Sequence, residues 1–113
     1  MNSQIHIQKC VNSRVIDLDF DDIPLGKTFT DHMFICSYES GQWQRPKIVP
    51  LSPVLTHPAA MAFHYGQAIF EGMKAYRNEK NDVVLFRPEL NAHRFAESAA
   101  RMCMPAVPEE LFI

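Results

Sequence analysis

The sequence predicts an α+β fold in which an antiparallel sheet of hairpins packs with two or three helices. Two pairs of apolar segments, at residues 29–51 and 73–86, are each joined by a polar turn, as in β-hairpins. Apolar residues then recur at helical spacing over residues 90–103, directly behind a proline that suits the start of a helix. Hairpins and helices in one short chain make the predicted class α+β.

Length, composition and charge narrow the range of functions. The 113 residues suffice for one small domain but not for two, and 47% hydrophobic with 21% charged residues is typical of a folded protein. A net charge of -2 gives no general attraction to nucleic acid or to an anionic membrane. We therefore expect small molecules and other protein chains as partners, with no nucleic acid and no membrane.

Cysteine usage and the N-terminal sequence predict a cytoplasmic protein. The three cysteines form no CxxC pair, and any disulfide scheme would leave one of them unpaired, which favours a reducing compartment. The N-terminus lacks the basic and then apolar pattern of a signal peptide, and no apolar run approaches the roughly 20 residues of a membrane span.

The N-terminal half is predicted to hold a strand, an acidic loop and the first hairpin. Residues 4–10 alternate as a strand does, and the aspartates of residues 17–22 lack the glycine and glutamate of a calcium loop, so a solvated loop is expected. In the hairpin, a strand at residues 29–38 returns through Pro46 and Pro50. Because prolines cannot donate to a strand ladder, we expect the return strand near a sheet edge.

Residues 63–77 are rich in aromatic side chains and contain two glycines. We predict a short helix over residues 65–71 that Gly72 terminates, followed by a strand from Met73. Such a corner can turn its aromatic side chains into the wall of a small-molecule pocket, although apolar residues at helical spacing usually face an ordinary core. The pattern alone leaves both interpretations open.

The C-terminal part is predicted to contain a helix with one polar face. It starts at Pro88, is closed by Pro105, and has Asn91 and Arg94 on its polar stripe. An arginine there can offer a bidentate fork to a phosphate, although on a polar helix face it is usually a solvated surface residue. A second helix is expected from Pro108, and because the sequence stops within its first apolar turn, we expect a longer protein.

Other constellations with chemical meaning are weak. The five histidines are scattered, with no second histidine or cysteine at ligand spacing, so a metal site is not expected. Neither a nucleophile elbow nor a glycine-rich phosphate loop is present. Lys74, on a strand of the second hairpin, is either a desolvated amine or an edge residue whose amine reaches the solvent.

Four segments in register resemble one enzyme family. They are residues 26–33 (GKTFTDHM), 55–58 (LTHP), 63–76 (FHYGQAIFEGMKAY) and 85–94 (LFRPELNAHR). Their order and spacing closely resemble the start of branched-chain amino acid aminotransferases, which are fold-type IV, class IV enzymes that use pyridoxal 5'-phosphate (PLP). The resemblance implies that residues 23–113 are part of the family's small domain, preceded by an N-terminal extension and first strand at residues 1–22.

The resemblance also implies roles for particular residues. Arg94 matches the arginine that binds the cofactor phosphate, and Tyr65 and Phe70 match aromatic residues that line the pocket for the substrate's branched side chain. Leu25 stands where relatives often have a phenylalanine, so the pocket wall is expected to differ there. Lys74 falls on a basic position with a supporting role. Apolar walls suit leucine, isoleucine and valine, whose amino group the family moves to 2-oxoglutarate.

No catalytic residue of the family is expected in this segment. The lysine that anchors the cofactor as a Schiff base lies far downstream in the family, and none of the chain's five lysines matches it. We therefore expect the segment to be inactive alone. The resemblance also implies a homodimer when the protein is full length. Two alternatives stay open: a class IV enzyme acting on D-amino acids or aminodeoxychorismate, and a non-catalytic interaction or dimerisation module.

Overall fold

A computed structural model describes residues 5–113 and confirms the α+β class. The chain divides into two compact units, one ending at Leu55 and the other spanning Thr56–Ile113. Within the described residues, the first unit contains five strands and one short 3-10 helix. They are β1 (His6–Ile7), the 3-10 helix (Arg14–Asp17), β2 (His32–Ile35), β3 (Tyr38–Glu39), β4 (Gln42–Trp43) and β5 (Lys47–Pro50). The aspartates of residues 17–22 are exposed, as expected of a solvated loop.

The first predicted hairpin is confirmed. β2 pairs antiparallel with β5, and β3 pairs antiparallel with β4 nearer the turn. The turn residues Ser40 and Gly41 have φ values of 52° and 80°, and positive φ at both central residues is what a two-residue type I' turn requires. The strand predicted over residues 4–10 is shorter in the structure, where β1 covers two residues; Gln4 lies outside the described residues.

The return strand β5 is central in its sheet, so the prediction of an edge strand is wrong. It lies between β2 and β1, and β1 pairs with it in parallel. Its prolines occupy positions where an N–H is not needed. Pro46 precedes the strand and accepts through its carbonyl from the N–H of His6 at 3.0 Å, and Pro50 is the last strand residue. The N–H groups that β5 contributes to the ladder therefore belong to residues between the two prolines.

The second unit consists of a hairpin and helices. Its elements are α1 (Met61–His64), β6 (Ala75–Arg77), β7 (Val83–Leu85), α2 (Pro88–Arg101) and α3 (Glu109–Phe112). The antiparallel pair of β6 and β7 confirms the second hairpin, and α2 starts at the predicted proline. Ala92 and Ala99, two turns apart on α2, are buried. Phe95 lies between them on the same face and contacts Phe112 of α3, with ring centroids 5.5 Å apart.

The short helix predicted over residues 65–71 is wrong in position. The structure has α1 four residues earlier, and Gly66, with φ of 61°, follows its C-cap Tyr65 in the left-handed conformation expected of Gly72. The earlier glycine ends the helix because it can adopt a positive φ without steric cost. Residues 66–74 consequently form an irregular connection, here called the motif loop, between α1 and β6.

The end of α2 also differs from the prediction that Pro105 closes it. Cys103 has a φ of 53°, and its N–H and that of Met104 donate to the carbonyls of Ala100 and Ala99 at 3.2 and 2.9 Å. This is the bonding pattern of a Schellman motif, in which a left-handed residue stops the helix. The helix therefore ends at Arg101, before the proline is reached.

Candidate functional site

The motif loop is attached to α2 at two places. The Gln67 side-chain amide donates to the Met102 carbonyl, at the C-terminal end of the helix, at 2.9 Å. Near the other end of the helix, Asn91 Nδ2 donates to the Gly72 carbonyl at 3.0 Å. These bonds hold the loop along the polar stripe that the sequence predicted for α2.

Between these attachments, Glu71 of the loop and Arg94 of the helix form a bidentate pair. Arg94 Nε donates to Glu71 Oε2 at 2.7 Å, and Arg94 Nη2 donates to Oε1. Asn91 lies three residues before Arg94, on the same face of the helix, and its Nδ2 also donates to Oε1 at 3.0 Å. The backbone N–H of Gly72 donates to the same oxygen at 3.1 Å. Side-chain and backbone donors thus fix the carboxylate from several directions.

The two members of this pair differ in exposure. The Glu71 side chain is 5% exposed, whereas that of Arg94 is 66% exposed. The hydrogen bonds from Arg94 are the main cause that lowers the pKa of Glu71 to about 2; burial opposes the shift, and the bond from Asn91 adds to it. The same contact raises the pKa of Arg94. Glu71 is therefore ionised at neutral pH, and the pair carries no net charge.

Arg94 keeps one edge of its guanidinium free of protein acceptors within residues 5–113. A guanidinium has five N–H donors, and Glu71 uses two of them. The remaining donors belong to an exposed side chain, and a planar guanidinium edge matches the oxygens of a phosphate or carboxylate. The arrangement can therefore bind an anion on the side of Arg94 that is not occupied by Glu71.

The other predicted site residues are exposed. Tyr65 and Phe70 are 77% and 90% exposed, so they do not belong to a core within the described residues. Lys74 is exposed directly before β6, and Leu25 of the first unit is fully exposed. Phe70 directly precedes Glu71, whose carboxylate binds Arg94. No hydrogen bond joins Arg94 to Tyr65 or to Lys74. Their roles in a substrate pocket stay predictions.

Comparisons with known proteins identify close relatives. The chain is 46% identical over 93 residues to branched-chain-amino-acid aminotransferase 2 of Bacillus subtilis, a match that covers 81% of this chain and 26% of the relative. It is 41% identical over 97 residues to the branched-chain-amino-acid aminotransferase of Haemophilus influenzae, with 86% and 28% covered. The cytosolic enzyme of Saccharomyces cerevisiae is 42% identical over 92 residues, with 80% and 24% covered.

The resemblance to branched-chain aminotransferases is confirmed. The chain spans about a quarter of the length of these branched-chain aminotransferase relatives. No family model matches the chain. In the part of the chain that the structure describes, no helix is long and apolar enough to cross a bilayer, and no cluster of three or more histidine, cysteine or acidic side chains could hold a metal ion.

Sequence reasoning missed Glu71 as a partner of the arginine. The available signal was the carboxylate of Glu71 within residues 68–73, where all the other residues are apolar or glycine. A carboxylate that becomes buried with such neighbours needs a cation and hydrogen-bond donors. The polar stripe of α2 supplies both, so a search for the carboxylate's partner would have led to Asn91 and Arg94.

A second feature that the sequence did not predict is a cavity of about 710 Å³ in the first unit. Its wall includes the apolar residues Leu18, Phe20 and Ile23. Asp31, which also lines the cavity, accepts from Ser13 Oγ at 2.6 Å and from the Nε of Arg14 at 3.1 Å. These bonds lower the pKa of Asp31, and the bond from Ser13 makes the largest contribution. They tie the 3-10 helix to the segment that leads into β2.

Proposed function

We propose that the chain is part of a PLP-dependent aminotransferase that moves the amino group of leucine, isoleucine or valine to 2-oxoglutarate. The observation that carries this proposal is the identity of 41–46% with proteins named branched-chain aminotransferases, over about four-fifths of the chain. In this proposal, branched-chain amino acids and 2-oxo acids are the small-molecule partners, and the protein works in the cytoplasm as a homodimer.

The residues present fit the phosphate of PLP. Arg94 has an exposed guanidinium edge, and its charge-assisted N–H bonds suit phosphate oxygens. Glu71 bonds to the Nε and Nη2 edge of the guanidinium and is itself covered, so its carboxylate does not block the edge formed by Nη1 and Nη2. When bound, PLP supplies the electron sink that amino-group transfer requires. The contribution of this chain is to hold the cofactor through its phosphate.

Tyr65 and Phe70 are proposed to contact the branched side chain of the substrate, with Leu25 forming a further part of the wall and Lys74 in a supporting role. The support is their exposure: large apolar side chains that face water gain free energy when an apolar ligand or another part of the protein covers them. Binding there would orient the substrate and exclude water from its apolar portion. Because none of the lysines matches the family's catalytic lysine, the 113-residue chain is proposed to be inactive alone.

The intact mass of the natively expressed protein is determined first. The test is then a transamination assay on the protein purified at that native length. Glutamate formation from 2-oxoglutarate is expected with leucine, isoleucine and valine as donors, and not with D-amino acids. The isolated 113-residue chain serves as the control and is expected to form none. Absence of glutamate with all three donors would refute the proposal. A native mass equal to that of the 113 residues would favour the interaction module.

A further inference from the structure

We propose that Glu71 is a positioning residue that orients Arg94 for the cofactor phosphate. The inference rests on the proposed function, and it assigns to Glu71 a role that acts through another residue. It follows from the bidentate contact between the two side chains and from the donors that fix the carboxylate.

Without this contact, the Arg94 side chain would be mobile. Its side chain is 66% exposed on a helix face, and the side chain of an exposed arginine samples many rotamers. Restricting them when a ligand binds reduces a binding constant by a factor of up to about 30. Because the contact with Glu71 already restricts the guanidinium, a phosphate that binds the free edge avoids much of this reduction.

The Glu71 side chain is itself held in a fixed position. An exposed carboxylate would move together with the arginine and orient nothing, but Glu71 is 5% exposed. Asn91 Nδ2 and the N–H of Gly72 donate to Oε1, so the carboxylate stays fixed independently of Arg94. Asn91 also donates to the Gly72 carbonyl, which fixes the backbone beside the carboxylate. Glu71 is thus a fixed reference point for the guanidinium.

A competing effect has the opposite sign. The negative charge of Glu71 repels a bound phosphate, so if neutralisation of Arg94 were its main effect, removing the charge would strengthen phosphate binding. At the exposed edge of Arg94, water and salt screen this repulsion. The bidentate contact acts locally on the orientation of the guanidinium and is not screened in this way. We therefore expect orientation to dominate, and the sign of the change in affinity distinguishes the two effects.

The experiment compares the dissociation constants of PLP and of pyridoxal, which lacks the phosphate, for the cofactor-free protein at its native length. Absorbance titration of Glu71→Gln is expected to show PLP affinity about tenfold weaker and pyridoxal affinity unchanged. Glu89→Gln is the matched control, because Glu89 carries the same charge as Glu71, lies on the same helix as Arg94 and forms a 3.8 Å surface pair with Arg87. It is expected to change neither constant.

Further variants make the result decisive. In a cycle with Arg94→Ala, which is expected to weaken PLP binding, adding Glu71→Gln should cause no further loss, since Glu71 acts through Arg94. Asn91→Ala is expected to weaken PLP binding by a smaller factor, and it decides the question if circular dichroism shows that Glu71→Gln does not fold. Unchanged or stronger PLP binding in the folded variant would overturn the inference. If Arg94→Ala leaves PLP binding unchanged, the phosphate role in the proposed function fails, and the role of Glu71 fails with it.

Discussion

Replacement of Ala99 by leucine tests whether α2 is tightly packed at its centre. Ala99 has no exposed surface, and the half-buried Phe95 lies one turn before it on the same face. Leucine adds three carbons, and inserting extra methylene groups into a packed site costs about 1–3 kcal/mol. If a void were present instead, burial of those carbons would stabilise the fold by about 2 kcal/mol. Complete burial of Ala99 in a close-packed interior favours the first outcome.

The assay is urea unfolding at 25 °C, in which the free energy of unfolding of Ala99→Leu is compared with that of the native sequence. The matched control is Ala100→Leu, one residue further along the same helix at an exposed position, where the change is expected to stay within about 0.5 kcal/mol. In thermal unfolding, each kcal/mol corresponds to about 4–8 °C for a domain of this size. Equal stability of the two variants, or a gain at Ala99, would refute the packing argument.

Three further predictions concern stability. Arg94 lowers the pKa of Glu71 from 4.5 to about 2, so Glu71 contributes stability that is complete above pH 4.5 and is lost as the pH falls toward 2. Between pH 5 and pH 2.5, the midpoint of urea unfolding should therefore fall further for the native sequence than for Glu71→Gln. Cys103→Gly should raise the free energy of unfolding by up to about 1 kcal/mol, because glycine adopts the positive φ at the end of α2 without strain, and a loss of stability in urea would contradict this. Gly41→Val should lower the free energy of unfolding by about 1–2 kcal/mol, whereas Ser40→Gly, at the other positive-φ position of the turn, should not lower it. Equal urea midpoints for these two variants would exclude a strained turn.

The hairpins and α2 could be predicted from the sequence because their signals are local. The turn at Ser40 and Gly41 lies between two apolar segments, and Pro88 precedes an apolar pattern of helical period. The position of β5 in its sheet was not predictable in this way. It depends on the pairing of β5 with β1, about 40 residues earlier, and Pro46 and Pro50 are compatible with a central strand only because they lie at its ends.

Helix ends were less predictable because more than one residue can provide the left-handed conformation. Both Gly66 and Gly72 suit the end of a short helix, and the structure uses the first. At the end of α2, Cys103 takes the positive φ although a cysteine carries a Cβ that disfavours it. The two backbone bonds that close the helix there outweigh this preference, and no pattern in the sequence indicates that they form.

The candidate site combines residues that the family resemblance predicted with one that only the structure identified. The resemblance singled out Arg94 from one motif and Phe70 from another, 24 residues earlier in the chain. It gave no reason for the carboxylate that follows Phe70. The structure supplies this reason, because the Glu71 side chain is 5% exposed in the motif loop beside α2, and a covered carboxylate requires the cation that Arg94 provides. The Glu71–Arg94 contact therefore joins the motif loop to the arginine proposed to bind the phosphate, so loop position and phosphate affinity should change together in variants of this pair.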